Sequence, residues 1–276
     1  MLKKFEWSKL YLLAVFALLY LPIFYLIFYS FNAGGTMTDF TGFTLDHYKG
    51  VFLDKRLIGI VLNTFMLAFL SALIATVIGT FGAMMIYYTK KRKSRNVLVS
   101  LNNILMVSPD VIIGASFLIF FTFLGLSLGF ASVLLSHIAF SIPIVVLMVL
   151  PKLKEMNDSM IDAARDLGAG NWTVIRKVIL PFITPGVVAG YFMAFTYSLD
   201  DFAVTFFVTG NGFSTLSVEI YSRARQGVSL EINALSALLF VFSMLLVAGY
   251  YFISQGNLTK KQKTRRKAHR EVVEHL

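Results

Sequence analysis

Six stretches of the chain run apolar for about twenty residues or more without a Lys or Arg: Leu10 to Phe31, Leu57 to Tyr88, Val97 to Leu124, Gly129 to Leu150, Pro181 to Thr209 and Ala234 to Ile253. A bilayer core takes about 20 apolar residues as a helix, so the pattern predicts six transmembrane helices and an all-α, polytopic membrane protein. The second and fifth stretches are too long for an upright span and predict tilt, kinks or extension beyond the membrane. The first follows Lys3, Lys4 and Lys9 but outruns the apolar segment of a signal peptide, so it reads as an uncleaved helix. In the second, Ala75, Gly79 and Ala83 repeat every fourth residue, as do Ala68 and Ala72, a spacing that predicts close helix packing rather than a ligand site.

Composition agrees with the bilayer as solvent. Of 276 residues, 57% are hydrophobic and only 14% charged, against roughly one quarter charged in soluble domains. The net charge of +10 first suggests nucleic acid, but its placement explains it otherwise. All of the 25 Lys and Arg except Lys49, Lys55, Arg56, Arg223 and Arg225 fall in the N-terminus, the 89–96 loop, the 151–180 loop and the tail. Alternating spans put those segments on one side, and the positive-inside rule makes that side the cytoplasm, with both termini inside. The basic run from 260 to 270 predicts a juxtamembrane segment resting on anionic lipid. The absence of Cys excludes disulfides and thiolate chemistry, and His47, His137, His269 and His275 show no ligand spacing for a metal.

Three carboxylates interrupt the spans: Asp110 in the third, and Asp200 and Asp201 in the fifth. An Asp at a helix centre costs about 2.5 to 3.5 kcal/mol on the insertion scale, so such residues normally face a bundle interior or a water cavity and mark a pathway. Asp110 would lie about 20 Å along a straight third helix, and the Asp pair about 25 to 30 Å along the fifth. Asp201 would share a face with Tyr197 and Thr205, and Asp200 with Thr196. Alternatives stand beside this: Asp110 as a cap for backbone opened by Pro109, or one of the adjacent Asp protonated or paired at a subunit interface.

The loop from 151 to 181 is longer than a turn. Met156, Met160, Ala164 and Leu167 lie on one side of an amphipathic stretch, Asp158, Asp162, Arg165 and Asp166 largely on another, and Gly168 and Gly170 supply a helix stop. Asp162-Ala163-Ala164, then Gly168, then Val178-Ile179-Leu180-Pro181 resemble the EAA loop of ABC importer permeases, EAA-x3-G-x9-I-x-L-P, with Asp for Glu and Val for Ile. MVSPDVIIGASFL from 106, SHIAFSIPIVV from 136, SLDDFAVTFFVTG from 198 and EINALSALL from 231 are similar to the spermidine/putrescine (PotC-type) branch of that family, and the likeness reaches to about residue 254.

The resemblance implies a type I importer permease of the MetI-like fold in the bacterial inner membrane. Residues 1–254 would form the permease domain and 255–276 a basic cytoplasmic tail. Asp162, Ala163, Ala164, Asp166, Gly168, Leu180 and Pro181 would belong to a coupling helix between the fourth and fifth spans, seated on a cytoplasmic ATPase. The implied assembly is a second, homologous permease, two ATPase copies and an extracytoplasmic polyamine-binding protein, with a homodimer as the runner-up. The expectation is that this chain binds no cofactor of its own and no nucleic acid: it lacks the G-x4-G-K-[ST] phosphate loop, so ATP and Mg²⁺ would sit on the partner ATPase. Asp110, Asp200 and Asp201, with Tyr197 and Thr205, would line the substrate path. The chemistry fits a polyamine, because one charge pair at 4 Å is worth about 4 kcal/mol at an effective dielectric near 20. The alternatives are a permease for another cationic or small organic solute, an ion-coupled secondary transporter and an intramembrane aspartyl protease. The segment from 210 to 233, with Glu219, Arg223, Arg225 and Glu231, is expected to meet the binding protein, a plain solvated loop being the alternative.

Overall fold

The computed structural model describes residues 7–227 and 229–245. Its elements are helices: α1 (Trp7–Tyr29), α2 (Asp46–Leu53), α3 (Lys55–Tyr88), α4 (Arg92–Val107), α5 (Asp110–Phe123), α6 (Phe130–Glu155), α7 (Ser159–Asp166), α8 (Asn171–Val174), a π-helical segment Ile175–Ile179, α9 (Leu180–Asp200), α10 (Ala203–Val208), α11 (Leu216–Gln226) and α12 (Leu230–Leu245). Two compact units result, Arg56–Ser222 and Met1–Lys55 with Arg223–Leu276; residues 7–55, 223–227 and 229–245 of the latter are described.

In the unit Arg56–Ser222, α6 packs against α9 and α3 because small residues remove the side chains that would hold the helices apart. A Cβ on Gly79 of α3 would lie 2.7 Å from Val145 Cβ, and one on Gly190 of α9 would lie 3.3 Å from Val145 Cα. Ala68, Ala72, Ala75 and Ala83 are fully buried along the same stripe, while Leu62, Phe69, Val77 and Phe81 on other faces of α3 are exposed. That division suits a helix with protein on one side and lipid on the other. Val145, Val149, Leu153 and Ile183 form the centre of the core.

Four helical runs are long and apolar enough to cross a membrane: Lys9–Tyr29, Lys55–Tyr88, Phe130–Glu155 and Asn171–Asp200. The third stretch is instead the pair α4 and α5, apolar together but bent by 104° at their junction. Here the structure corrects the straight third helix. Pro109 cannot donate to the α4 ladder and pushes Ser108 into extended backbone (ψ 137°), so α5 starts afresh at Asp110. The depth of Asp110 therefore does not follow from helix rise counted from Val97. The fifth stretch is broken as well: α9 ends at Asp200, Asp201 is extended (ψ 126°), and α10 resumes at Ala203. The sixth stretch is seen as α12 up to Leu245; its remainder to Ile253, the N-terminal Lys3 and Lys4 and the basic tail lie outside the described residues.

In the other unit, α1 buries none of its apolar span, as expected of a lipid-facing helix. Beyond it the chain turns around Asn32, whose side chain donates to the carbonyls of Thr36 and Asp39 (2.9 and 2.8 Å) and accepts from the backbone N–H of Gly34 and Thr41 (3.2 and 2.8 Å). Arg223 pairs with Asp54 at 3.0 Å and Glu231 at 3.4 Å and is only 19% exposed. Arg223 is thus paired within its own unit.

Candidate functional site

The break between α9 and α10 is built by hydrogen bonds. Leaving the helix at Asp201 exposes the first N–H groups of α10, and the Asp201 carboxylate accepts from Val204 N–H (3.3 Å), Thr205 N–H (2.9 Å) and the Thr205 hydroxyl (2.8 Å). Behind it, on α6, stands His137. Its Nε2 lies 2.8 Å from Thr205 Oγ1 and 3.5 Å from Asp201 Oδ2, and its Nδ1 lies 2.7 Å from Ser198 Oγ on α9. Ser198 is in turn 2.9 Å from Ser71 Oγ on α3. The ring thus bridges the α3 and α9 hydroxyls to Thr205, whose hydroxyl donates to the Asp201 carboxylate, while Ser71 Oγ also donates to the Ala68 carbonyl at 3.2 Å. His137, Thr205 and Ser71 are fully buried, Ser198 nearly so, and the Asp201 side chain is 5% exposed.

Asp110 and Asp200 are placed differently. Asp110 is the first residue of α5 and is half-buried; its Oδ1 accepts a 2.7 Å hydrogen bond from the Tyr197 hydroxyl. The Tyr197 ring stands edge-on to Phe140, centroids 5.0 Å apart, and Phe140 lies 4.8 Å from the His137 ring. Asp200, the last residue of α9, is exposed. Among the described residues no Lys or Arg forms an ion pair with either carboxylate. Asp110 opens α5 and Asp200 ends α9, so an accessible carboxylate stands at each break in the apolar helical runs, with Asp201 enclosed beside the second. Tyr197 and Asp110 are thus joined by a hydrogen bond and Asp200 is exposed, whereas Asp201 and Thr205 turn into the packed side. The separation follows from the break, since a continuous helix would have placed adjacent residues only about 100° apart on one cylinder. Pro109, at the N-cap of α5, offers no side-chain cap.

His137 was missed as a site residue. It lies in an apolar stretch, and an ionisable side chain there is itself the signal that a partner must exist. Its hydroxyl partners gave no such signal, because Ser71 and Ser198 can also satisfy themselves on helix backbone.

The 151–181 loop is mostly helical. The turn after α7 is a Schellman closure: Gly168 N–H donates to Arg165 C=O (2.8 Å), Ala169 N–H to Ala164 C=O (3.0 Å), and Gly168 adopts φ +80°. Asp162, Ala163 and Asp166 are exposed, as are Leu167 (89%), Trp172 (65%) and Met160 (42%). Inward, Met156, Ile161, Val174 and Ile179 are buried and Ala164 is packed against them. This divides the apolar face read from periodicity: Met156 and Ala164 anchor the segment, while Met160 and Leu167 face out. Leu180 is half-buried, and Pro181, in the first turn of α9 where no hydrogen-bond donor is required, is exposed.

The chain belongs to the binding-protein-dependent transport system inner membrane component family, which matches residues 75–264, and is a multi-pass protein of the bacterial inner membrane. It is similar to the spermidine/putrescine transport system permease protein PotC of Escherichia coli strain K12, with 38% identity over 245 residues, 89% of this chain and 92% of that one. PotC of Haemophilus influenzae is 35% identical over 256 residues, covering 93% and 99%. The putrescine permease PotI of Escherichia coli K12 is 32% identical over 239 residues, covering 84% and 85%. The fold matches a bacterial ABC transporter that imports the acidic polysaccharide alginate, with a TM-score of 0.69 at 18% identity over 88% of this chain and 92% of that one. It also matches the MetNI methionine ABC transporter, at 0.59 and 21% over 72% and 97%.

Proposed function

We propose that this chain is the permease subunit of an ATP-driven importer that carries polyamines of the spermidine and putrescine type. The observation that carries the reading is the placement of Asp110 and Asp200: two accessible carboxylates at breaks in the membrane helices, with no cation of the described chain beside them. A polyamine supplies what they lack, ammonium groups spaced by methylenes that suit the aromatic surroundings of Tyr197 and Phe140. Fold alone does not choose the substrate, since the similar alginate importer handles an acidic one; the carboxylates favour a cation, and the spermidine/putrescine relatives name which kind.

In this reading six spans leave both termini in the cytoplasm, and a second, homologous permease completes the path. The α7 segment, with Asp162, Ala163 and Asp166 exposed and Leu167 and Trp172 apolar beside them, seats on one of two ATPase copies that hold ATP and Mg²⁺. An extracytoplasmic binding protein delivers the substrate. Asp201 and Thr205 act behind the path, holding the α9–α10 break that presents Asp200.

The test is uptake per assembled complex for Asp110→Asn and Asp200→Asn with a triamine and a diamine. Removing one charge deletes a Coulomb contribution of about 1 to 4 kcal/mol per ammonium within 4 Å, so uptake is expected to fall tenfold or more, and further for the triamine. Wild-type rates with both substrates in both variants would refute the assignment.

A further inference from the structure

We propose that the cleft between the C-terminal ends of α3 and α6 and the start of α4 binds an anionic phospholipid, its phosphate between Arg95 and Lys154 and an acyl chain along Val99 and Leu147. The cleft has a volume of about 570 Å³ and is lined by Ile86 and Tyr87 of α3, Arg95 and Val99 of α4, and Leu150 and Lys154 of α6. That size is within the roughly 300–1,000 Å³ of ligand pockets. A smaller cavity of about 170 Å³ shares Val99, Leu150 and Lys154 and continues along the same seam to Asn102, Val146 and Leu147.

The chemistry of the seam is graded. Its cations lie at the helix ends, and Val146 lies roughly 12 Å further into α6 than Lys154 at 1.5 Å per residue. A charged head and an apolar tail match that gradient; an inorganic anion or an acidic peptide matches only its first part. Lys90, Lys91, Arg92, Lys93 and Arg95 precede or open α4, and no Asp or Glu occurs between residues 89 and 109. Neither Arg95 nor Lys154 forms an ion pair among the described residues, whereas neighbouring Lys152 is paired with Glu155 at 2.7 Å. The α4 helix buries no residue, and Val97, Leu101 and Ile104 are exposed on it at 50, 57 and 57%. A basic, amphipathic helix turned 104° from its continuation has the form of an interfacial element, and basic pockets between membrane helices are a recurring headgroup site. The inference rests on α3 and α6 crossing the bilayer and ending at its interface, not on the identity of the transported solute.

The experiment is native mass spectrometry of the purified, full transporter complex with equimolar dioleoyl-phosphatidylglycerol and dioleoyl-phosphatidylcholine. The wild type is expected to retain the phosphatidylglycerol. Arg95→Gln with Lys154→Gln should weaken that retention about five-fold for each charge removed. Lys90→Gln with Lys93→Gln, outside the cleft, should change it less, and an equal loss in the two double variants would overturn the site in favour of diffuse surface charge. Val99→Trp fills the seam without touching a charge and should also reduce retention; a wild-type level there would overturn the acyl-chain placement. Displacement of the lipid by millimolar glycerol phosphate would overturn a lipid in favour of a free anion. Loss of the ATPase from the Arg95/Lys154 variant with lipid retention intact would assign the cleft to a protein instead.

Discussion

A buried histidine accounts for the different surroundings of the adjacent Asp200 and Asp201. His137 closes the chain from Ser71 through Ser198 to Thr205 and the Asp201 carboxylate, and without it two buried hydroxyls and a carboxylate lose a partner. Each lost hydrogen bond is worth about 0.5–1.5 kcal/mol and removing a fully buried ring leaves a cavity, so His137→Ala is expected to lower the unfolding temperature and yield of the purified complex markedly. Asp200→Asn, at an exposed position, should leave both near wild type. Differential scanning fluorimetry on the two variants checks this; a His137→Ala complex that melts with the wild type would show that the network contributes nothing to stability. Position 201 was read from sequence as part of a path, on the general cost of an Asp in a span. That cost can be met from the protein side or from the substrate side, and the partner that meets it for Asp201 lies 64 positions earlier in the chain, beyond the reach of helical periodicity.

At the scale of elements, membrane helices were legible because the bilayer demands long apolar runs whatever their neighbours. Breaks were legible only where the backbone itself announces them. Pro109 marks the first, although its 104° bend does not follow from a proline alone. The second occurs in Ser198-Leu199-Asp200-Asp201-Phe202, which has neither Gly nor Pro, because side chains satisfy the opened backbone. The small-residue stripe of α3 was readable from its four-residue spacing, while Gly186 and Gly190 of α9 passed unnoticed inside an apolar run; both abut α6, a Cβ on Gly186 falling 2.9 Å from the Met148 carbonyl oxygen. The end of α7 was readable from Gly168, whose φ of +80° carries a testable penalty. A β-branched residue there costs about 1–2 kcal/mol, so Gly168→Val should fray the turn and reduce co-purification of the ATPase while membrane insertion holds; Gly168→Asn, which tolerates this conformation, should be milder. Equal co-purification in wild type and both variants would separate α7 from coupling.

For the molecule as a whole, the charge distribution makes orientation measurable against a clean background, since the chain contains no Cys. If the basic segments mark the cytoplasmic side, a thiol at Asn211→Cys should react with an impermeant maleimide in intact spheroplasts, and one at Ser94→Cys only after permeabilisation; both positions are exposed. The reverse labelling pattern would invert the topology. Between the α7 projection and the carboxylates runs one helical path, Asn171–Asp200, and it contains the π-helical segment Ile175–Ile179. A π turn accommodates about one residue more than an α-turn, and each residue of α-helix advances the azimuth by about 100°. Those five residues therefore set the phase between the two ends of the permease: were the path α-helical throughout, α9 would be rotated by about a residue relative to α7, and the azimuth that now brings Ser198 to His137 and Tyr197 to Asp110 could not coexist with the present seating of Val174 and Ile161 in the core.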